Sequence, residues 1–570
     1  MALAQDLDRA FDCFEQGNPE EALRLCEVIL EYDPDFYGAL YLAGSILADL
    51  GRNGQARVQL EKAIALHPEK KVAHFNLAKV LLDLGEASSA CSRLEYYLTL
   101  DPGDAEAHSI YGGALLDIGR FDAARAALDH ALELAPHFAL GWYNRGNLAK
   151  AQARYDEAVA DFRQAIACDP LLVAAHLNCG VALNALGRLE DAVDCYEEAL
   201  RLDPLSADAW SNRGISLHGL EHFAEALNSF GRAIVLMPDH SEARANRAYT
   251  SLLLGDFAHA WDDYEHRLQS RDYRAIALGA HAHLVERIKA CPNMDDLVGR
   301  HVILIGEQGL GDIVMFASMI GDVQAIASRV DLVVEHRLGA LMRNSFPALN
   351  VMSIETCDAG TLSGDATCLF IGSLASVLRR SREDFPQTSF LVADAHKQRA
   401  FSERLSAPGR KLVGISWAGG LAHTRQAART LALDEMLDIL DHRDDLALVS
   451  LQHGQDLEFV QATAKRRGLD IALFAPVDLN DMGDLAALIV SLDAVVTVQN
   501  TNVHLCGALG VPCLAILPPV PEWRYGLKGD HMAWYGSVQL FRRSTLQGLG
   551  QLVPALRSCL DHQLGSSAGR

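Results

Sequence analysis

Small and apolar positions return along the first half of the chain with a single period of 34 residues. Ala22, Ala56, Ala90, Ala124, Ala158, Ala192, Ala226 and Ala260 keep that spacing, and so do Pro34, Pro68, Pro102, Pro136, Pro170, Pro204 and Pro238. Gly44, Gly112, Gly146, Gly180 and Gly214 form a third series, with Ala78 filling its gap. Small residues at fixed points let two antiparallel helices pack closely, and a proline closes each unit because it cannot continue a helix. The pattern predicts eight helical pairs over 1–272, stacked as an α-solenoid whose concave wall is lined by the first helix of each pair.

These series resemble the tetratricopeptide repeat (TPR), with Trp142 and Trp210 at that family's aromatic position. Asn76, Asn144, Asn178, Asn212 and Asn246 share one slot of the first helix in five repeats. Asparagine offers two donors and an acceptor on a short arm, so a column of them can pair with the backbone of an extended peptide. The column is similar to the asparagine ladder of the nucleocytoplasmic O-GlcNAc transferases, which implies that these residues bind a protein acceptor. Asparagine is also a common filler at this slot, and that reading stays open. The last unit, Gly255-Asp256-Phe257 followed by Trp261 to Arg267, has no closing proline. It resembles the terminal repeat of bacterial proteins in which such arrays lead into a glycosyltransferase-like domain.

After a connecting segment, 273–298, the period changes. Apolar, β-branched runs at 301–306, 330–335, 367–373, 412–417, 446–452, 494–499 and 513–518 alternate with helical stretches. Strands separated by helices imply parallel sheets buried on both faces. A charged break ending Ala407-Pro408-Gly409 divides them into 299–400 and 401–570. Two such Rossmann-like domains form the plan of the GT-B glycosyltransferases, so the expected fold is a TPR solenoid followed by an α/β GT-B module. Ligands of such sheets bind outside the carboxyl ends of the strands.

The loops at those ends carry the candidate chemistry. The first strand enters Gly306-Glu307-Gln308-Gly309-Leu310-Gly311-Asp312, which resembles the Gly-Leu-Gly-Asp turn of heptosyltransferase-like enzymes. The resemblance implies Asp312 as the general base, taking the acceptor hydroxyl's proton. The alternative is that Asp312 caps the following helix. Ser416, Trp417 and Gly419 lie in a small-residue loop trailed by His423, Arg425 and Arg429-Thr430, a pattern suited to a donor phosphate. A Ser-Leu-Gln element adds Gln452, and Asn500, Thr501 and His504 open a helix that resembles the family's phosphate-binding element. The family usually has an acid where this chain has Gln499.

Composition narrows the partners. The 570 residues carry a net charge of −24, which argues against a nucleic-acid partner. The excess is uneven: 1–272 holds 43 acidic and 23 basic residues, a net of −20, against 31 and 27, a net of −4, in 273–570. The acidic half suits either a basic partner or simple solubility. No apolar run approaches the roughly 18 residues of a spanning helix, and the acidic N-terminus lacks a signal-peptide layout. Twelve scattered cysteines without a metal-ligand spacing read as buried apolar residues of a reducing compartment, so a cytoplasmic location is expected. The whole resembles bacterial TPR glycosyltransferases of the flagellin-modifying type. That resemblance implies a metal-independent protein O-glycosyltransferase whose co-substrate is a nucleotide sugar, with a sialic-acid-like sugar from a CMP donor as one specific case, and whose acceptor is flagellin. Two rivals remain: an adaptor with a decayed transferase module, consistent with Gln499, and a glycan-directed heptosyltransferase-like enzyme.

Overall fold

The computed structural model describes residues 2–270, 287–357, 362, 364–420, 426–440, 443–454, 456–474, 479–545 and 548–566. The first helices of the repeats are α1 (Ala2–Glu15), α3 (Tyr37–Asp49), α5 (Lys71–Asp83), α7 (Ala105–Asp117), α9 (Ala139–Ala151), α11 (Val173–Ala185), α13 (Ala207–Gly219) and α15 (Ser241–Leu254). Their partners are α2 (Pro19–Tyr32), α4 (Asn53–Leu66), α6 (Ala87–Leu100), α8 (Phe121–Leu134), α10 (Tyr155–Cys168), α12 (Leu189–Leu202), α14 (Phe223–Leu236) and α16 (Phe257–Tyr264). These sixteen helices are the α-solenoid that the 34-residue period predicts. The chain divides into two compact units, Met1–His222 and Phe223–Arg570, so α14–α16 belong to the same unit as the α/β region.

In the first unit each periodic residue has a packing role. Gly112, Gly146 and Gly180 lie flush against Leu128, Phe162 and Tyr196 of the partner helix; a Cβ at Gly180 would stand 2.5 Å from the Tyr196 ring. The proline does more than end a helix, because its carbonyl is claimed by the side chain six residues later. His74 Nε2 donates to Pro68 at 2.9 Å, Trp142 Nε1 to Pro136 at 2.8 Å, His176 Nε2 to Pro170 at 3.0 Å and Trp210 Nε1 to Pro204 at 3.1 Å. The family's aromatic position thus anchors the turn between repeats. Charge is also sorted by helix. The first helices α3–α13 carry five acidic and five basic residues, whereas the second helices α2–α12 carry 17 and 7. Helix α1 adds four acidic residues and one basic, so most of this unit's helical acidity lies on the second helices.

The second unit contains two parallel sheets. Strands β1 (His301–Ile305), β2 (Arg329–Val334), β3 (Asn350–Ser353) and β4 (Thr367–Phe370) are ordered β3-β2-β1-β4. Strands β5 (Lys411–Ser416), β6 (Leu446–Ser450), β7 (Ile471–Ala472), β8 (Ala494–Val498), β9 (Cys513–Leu517) and β10 (Val538–Arg542) are ordered β10-β9-β8-β5-β6-β7. Strands β6, β8 and β9 are buried throughout, which is why they read as unbroken apolar runs. Strands β3, β7 and β10 lie at sheet edges and were not foreseen. β3 and β7 are four and two residues long, and β10 alternates apolar with polar residues, so none makes a buried run. In each sheet the strand order reverses beside its first strand, at β1/β4 and at β5/β8. In parallel sheets ligands gather at the carboxyl edge beside such a reversal, so a site is expected in the loops after these strands.

Alanine gains on glycine by about 1 kcal/mol in a helix interior, yet Tyr196 is buried and cannot retreat from a new methyl group. Gly180→Ala should therefore destabilise the fold by about 1–3 kcal/mol. Gly231→Ala in α14, where the methyl meets nothing within 4 Å, should be neutral or stabilising. Urea midpoints of the two variants should fall on opposite sides of wild type.

Candidate functional site

The turn after β1 is held from both sides. Glu307, fully buried, accepts from Arg267 Nη2 at 2.6 Å and from the Gly372 amide, in the loop after β4, at 3.1 Å. Arg267 has no exposure and also donates to Glu265 at 2.7 Å, to the Tyr264 carbonyl at 3.0 Å and to Ser373 at 3.2 Å. Its guanidinium lies 4.0 Å from the centroid of the Tyr264 ring. Gln308, at φ +63°, donates to the Tyr264 hydroxyl at 2.8 Å. Residues that read in the sequence only as the end of the array thus clamp the turn that carries the candidate base. A buried carboxylate and guanidinium placed forty residues apart was the signal available, but sequence spacing alone does not pair them.

Asp312 is the third residue of helix Leu310–Phe316. Its Oδ2 accepts from the Gly309 amide at 3.4 Å, a capping contact, while its Oδ1 pairs with Arg524 Nη2. Arg524 arrives from the other sheet, in the loop after β9, and Trp523 beside it packs on Trp261, Tyr264 and Phe316 at centroid distances of 5.7, 5.9 and 6.4 Å. Gly311 lies against helix Thr501–Leu509, where a Cβ would come within 3.0 Å of the His504 ring. Burial opposes charge on Arg524, but Asp312 and then Glu522 outweigh it and raise its pKa above the ordinary value.

At the second sheet, three of the expected donor residues hold the loops together. Gln452 Oε1 accepts from Ser416 Oγ at 3.0 Å and from the amides of Trp417 and Ala418 at 3.0 and 2.8 Å. Asn500 caps helix Thr501–Leu509 by accepting from the Asn502 amide at 3.0 Å, and donates to Ser416 Oγ at 2.8 Å. Gly419 is obligatory because a Cβ would lie 2.4 Å from the Gln499 carbonyl oxygen. Trp417 is buried in the sheet core. Thr501 is the first residue of the helix that Asn500 caps, and the next two amides are taken by Asn500, Asn502 N by its side chain and Val503 N by its carbonyl at 3.2 Å. Arg429 pairs with Glu522, and Glu522 also lies 4.0 Å from Arg524, so Asp312, Arg524, Glu522 and Arg429 alternate in sign along one line. Gln499 accepts from the Glu522 amide at 3.3 Å, while its Nε2 is buried with no hydrogen-bond partner among the described residues. Arg425 and His423 lie outside the described residues. His504 is buried, with its nitrogens 3.3 Å from the hydroxyls of Tyr535 and Tyr525. Burial, then Arg524, holds its pKa well below the usual histidine range, so it is neutral.

Along the array the asparagines tie repeat to repeat. Asn76 Nδ2 donates to Ser45 at 2.9 Å, Asn144 Nδ2 to Ser109 Oγ at 3.0 Å, and Asn178 Nδ2 to Tyr143 at 3.1 Å while its Oδ1 accepts from Lys150 at 2.7 Å. Lys150 stands 28 residues earlier and the Nδ2 acceptors stand 31 or 35 earlier, all on the preceding first helix. For Asn212 those positions are Val181 and Leu177, so its amide lacks this tie. Asn246 is half-buried on α15 in the second unit, and its carbonyl accepts from Thr250 at 2.8 Å. Among the described residues no His, Cys, Asp and Glu cluster could hold a metal ion, and no helix is long and apolar enough to cross a membrane.

Tetratricopeptide-repeat family models match residues 14–63, 81–143, 143–207 and 185–220, identifying the repeats. Protein FlbA of Caulobacter vibrioides is 30% identical over 264 residues, covering 43% of this chain and 44% of that protein. The chain therefore spans less than half the length of the curated relative it matches. Among solved structures, a TPR protein from Parabacteroides merdae aligns with a TM-score of 0.38 and 18% identity over 44% of this chain and 98% of that one. The APC/C hetero-tetramer Cut9–Hcn1 aligns with a TM-score of 0.38 and 16% identity over 42% and 48%.

Arg267→Met should cost about 3–5 kcal/mol, because it strands Glu265 and Glu307 without their buried counter-charge; chemical denaturation of the full chain measures it. His504 supplies the pH test. A histidine buried neutral contributes stability above its unfolded pKa of about 6.5 and loses it as pH falls, at up to about 1.4 kcal/mol per pH unit. Melting temperature should therefore drop from pH 7 to pH 5 more steeply in wild type than in His504→Gln.

Proposed function

We propose that this chain is a glycosyltransferase that moves a sugar from a nucleotide donor to a serine or threonine hydroxyl of a protein held by the repeat array. The observation that carries this reading is the meeting of Asp312, from the first sheet's carboxyl edge, with the arginines and the helix N-terminus at the second sheet's edge. Asp312 takes the hydroxyl proton as the oxygen attacks the anomeric carbon. The departing nucleotide phosphate gains charge, and Arg429, Arg524 and the positive end of the helix that Thr501 opens would stabilise it. The first helices α3–α13 are neutral overall and carry Asn, Ser and Tyr side chains, which suits an uncharged, hydroxyl-rich polypeptide better than a basic one. Flagellin as acceptor, a CMP-linked acidic sugar as donor and a cytoplasmic setting are the specific case that the sequence resemblance implies.

The adaptor alternative draws on two observations, the pairing of Asp312 with Arg524 and the neutral Gln499. Transfer separates the readings. Full-length protein incubated with flagellin and CMP- or UDP-linked sugars should raise the flagellin mass by one or more sugar residues. Asp312→Asn should stay folded, since asparagine caps as well as aspartate, with kcat reduced by about 10²–10⁴-fold. Unchanged flagellin mass with every donor tried would favour the adaptor.

A further inference from the structure

Asp312 poses a problem for the proposed chemistry, because its Oδ1 already lies against the Arg524 guanidinium, on the side from which an acceptor hydroxyl would have to approach it. We propose that Arg524 is shared between two anions: it holds Asp312 in the ligand-free protein, and the donor's phosphate or carboxylate takes it over. Donor binding thereby frees the base. This inference rests on the transferase reading above and assigns Arg524 as a donor-binding residue that also orders the reaction, donor before acceptor.

Four observations carry it. Arg524 is largely shielded from water, its side chain 13% exposed, with its guanidinium 5.3 Å from the Trp523 ring centroid and Nη2 against Asp312. Its other acidic neighbour, Glu522, lies 4.0 Å away and is already paired with Arg429. Its Nε is buried without a hydrogen-bond partner among the described residues, so the guanidinium fork has an unused donor. Gln499 Nε2, on the neighbouring loop, is a second buried donor in the same condition. A planar fork with an idle donor matches an oxyanion presenting two oxygens better than the single Asp312 oxygen it now contacts. The cost of losing Asp312 is met only if a negative charge arrives, which keeps the base masked until the donor is seated.

Competition for one guanidinium has a reciprocal signature: what Asp312 loses to the donor, the donor loses to Asp312. Calorimetric titration of the full chain with CMP, CDP and UDP reads it directly. Asp312→Asn should bind the preferred nucleotide about 5- to 50-fold more tightly than wild type. Arg524→Gln should bind it at least tenfold more weakly, and adding Asp312→Asn to that variant should bring no further gain. Arg524→Lys keeps a point charge and should show the same coupling reduced in size, which covers the case in which the glutamine variant does not fold. Nucleotide affinity unaltered or weakened by Asp312→Asn would overturn the sharing while leaving the transferase reading intact. Tightening that persists without Arg524 would overturn it too, as general repulsion by the carboxylate. Wild-type protein that binds none of the three nucleotides would overturn the site reading and this proposal together.

Discussion

Removing a guanidinium and two carboxylates from water costs several kcal/mol per ion unless each finds its counter-charge and its hydrogen bonds. Arg267 meets that condition only in one arrangement, with Glu265 on one side and Glu307 and Ser373 on the other. Because Glu307 sits in the turn after β1, this pairing sets where helix Leu310–Phe316 begins and where Asp312 stands. Because Arg267 follows α16, it also binds the last repeat to the first sheet. Such a pair adds little net stability against an apolar replacement. Its effect is to leave every other register of that turn with an uncompensated buried charge.

A second consequence of close packing appears at the carboxyl edge of the second sheet. Ser416, Gln452 and Asn500 spend their hydrogen bonds on one another and on loop amides. They are scaffolding for a surface made of backbone and charge. His504 is likewise spoken for by two tyrosine hydroxyls, and its neutrality leaves the arginines as the cations near the helix N-terminus. On the proposed reading, the groups left to meet a donor anion are Arg429 and Arg524. Those are the groups whose strength grows when water is excluded.

The array divides its labour between the two helices of each repeat. The second helices carry the acid, and the first helices carry the asparagines whose amides run from one repeat to the next. An amide donor used in that way is unavailable to a ligand, but the acceptor oxygens of Asn76 and Asn144 and the untied amide of Asn212 are not consumed by these ties. Filler and binding roles are therefore not exclusive: the ladder ties repeat to repeat and leaves part of its hydrogen-bonding capacity outside those ties.

The sequence by itself determined what depends on periodicity. A 34-residue repeat of alanine, glycine and proline permits helical pairs at that spacing and little else, and runs buried on both faces announce the central strands wherever they fall. It also singled out Asp312 and the Ser416, Gln452 and Asn500 loops, since chemistry in parallel sheets gathers where strands end. The edge strands β3, β7 and β10 were hidden because a strand exposed on one side, or only two residues long, makes no apolar run. What only the tertiary structure decided is pairing. Arg267 with Glu307, Asp312 with Arg524, and Arg429 with Glu522 join residues 40, 212 and 93 positions apart. A charge in the sequence has no address until folding takes it out of water and forces it to choose a partner.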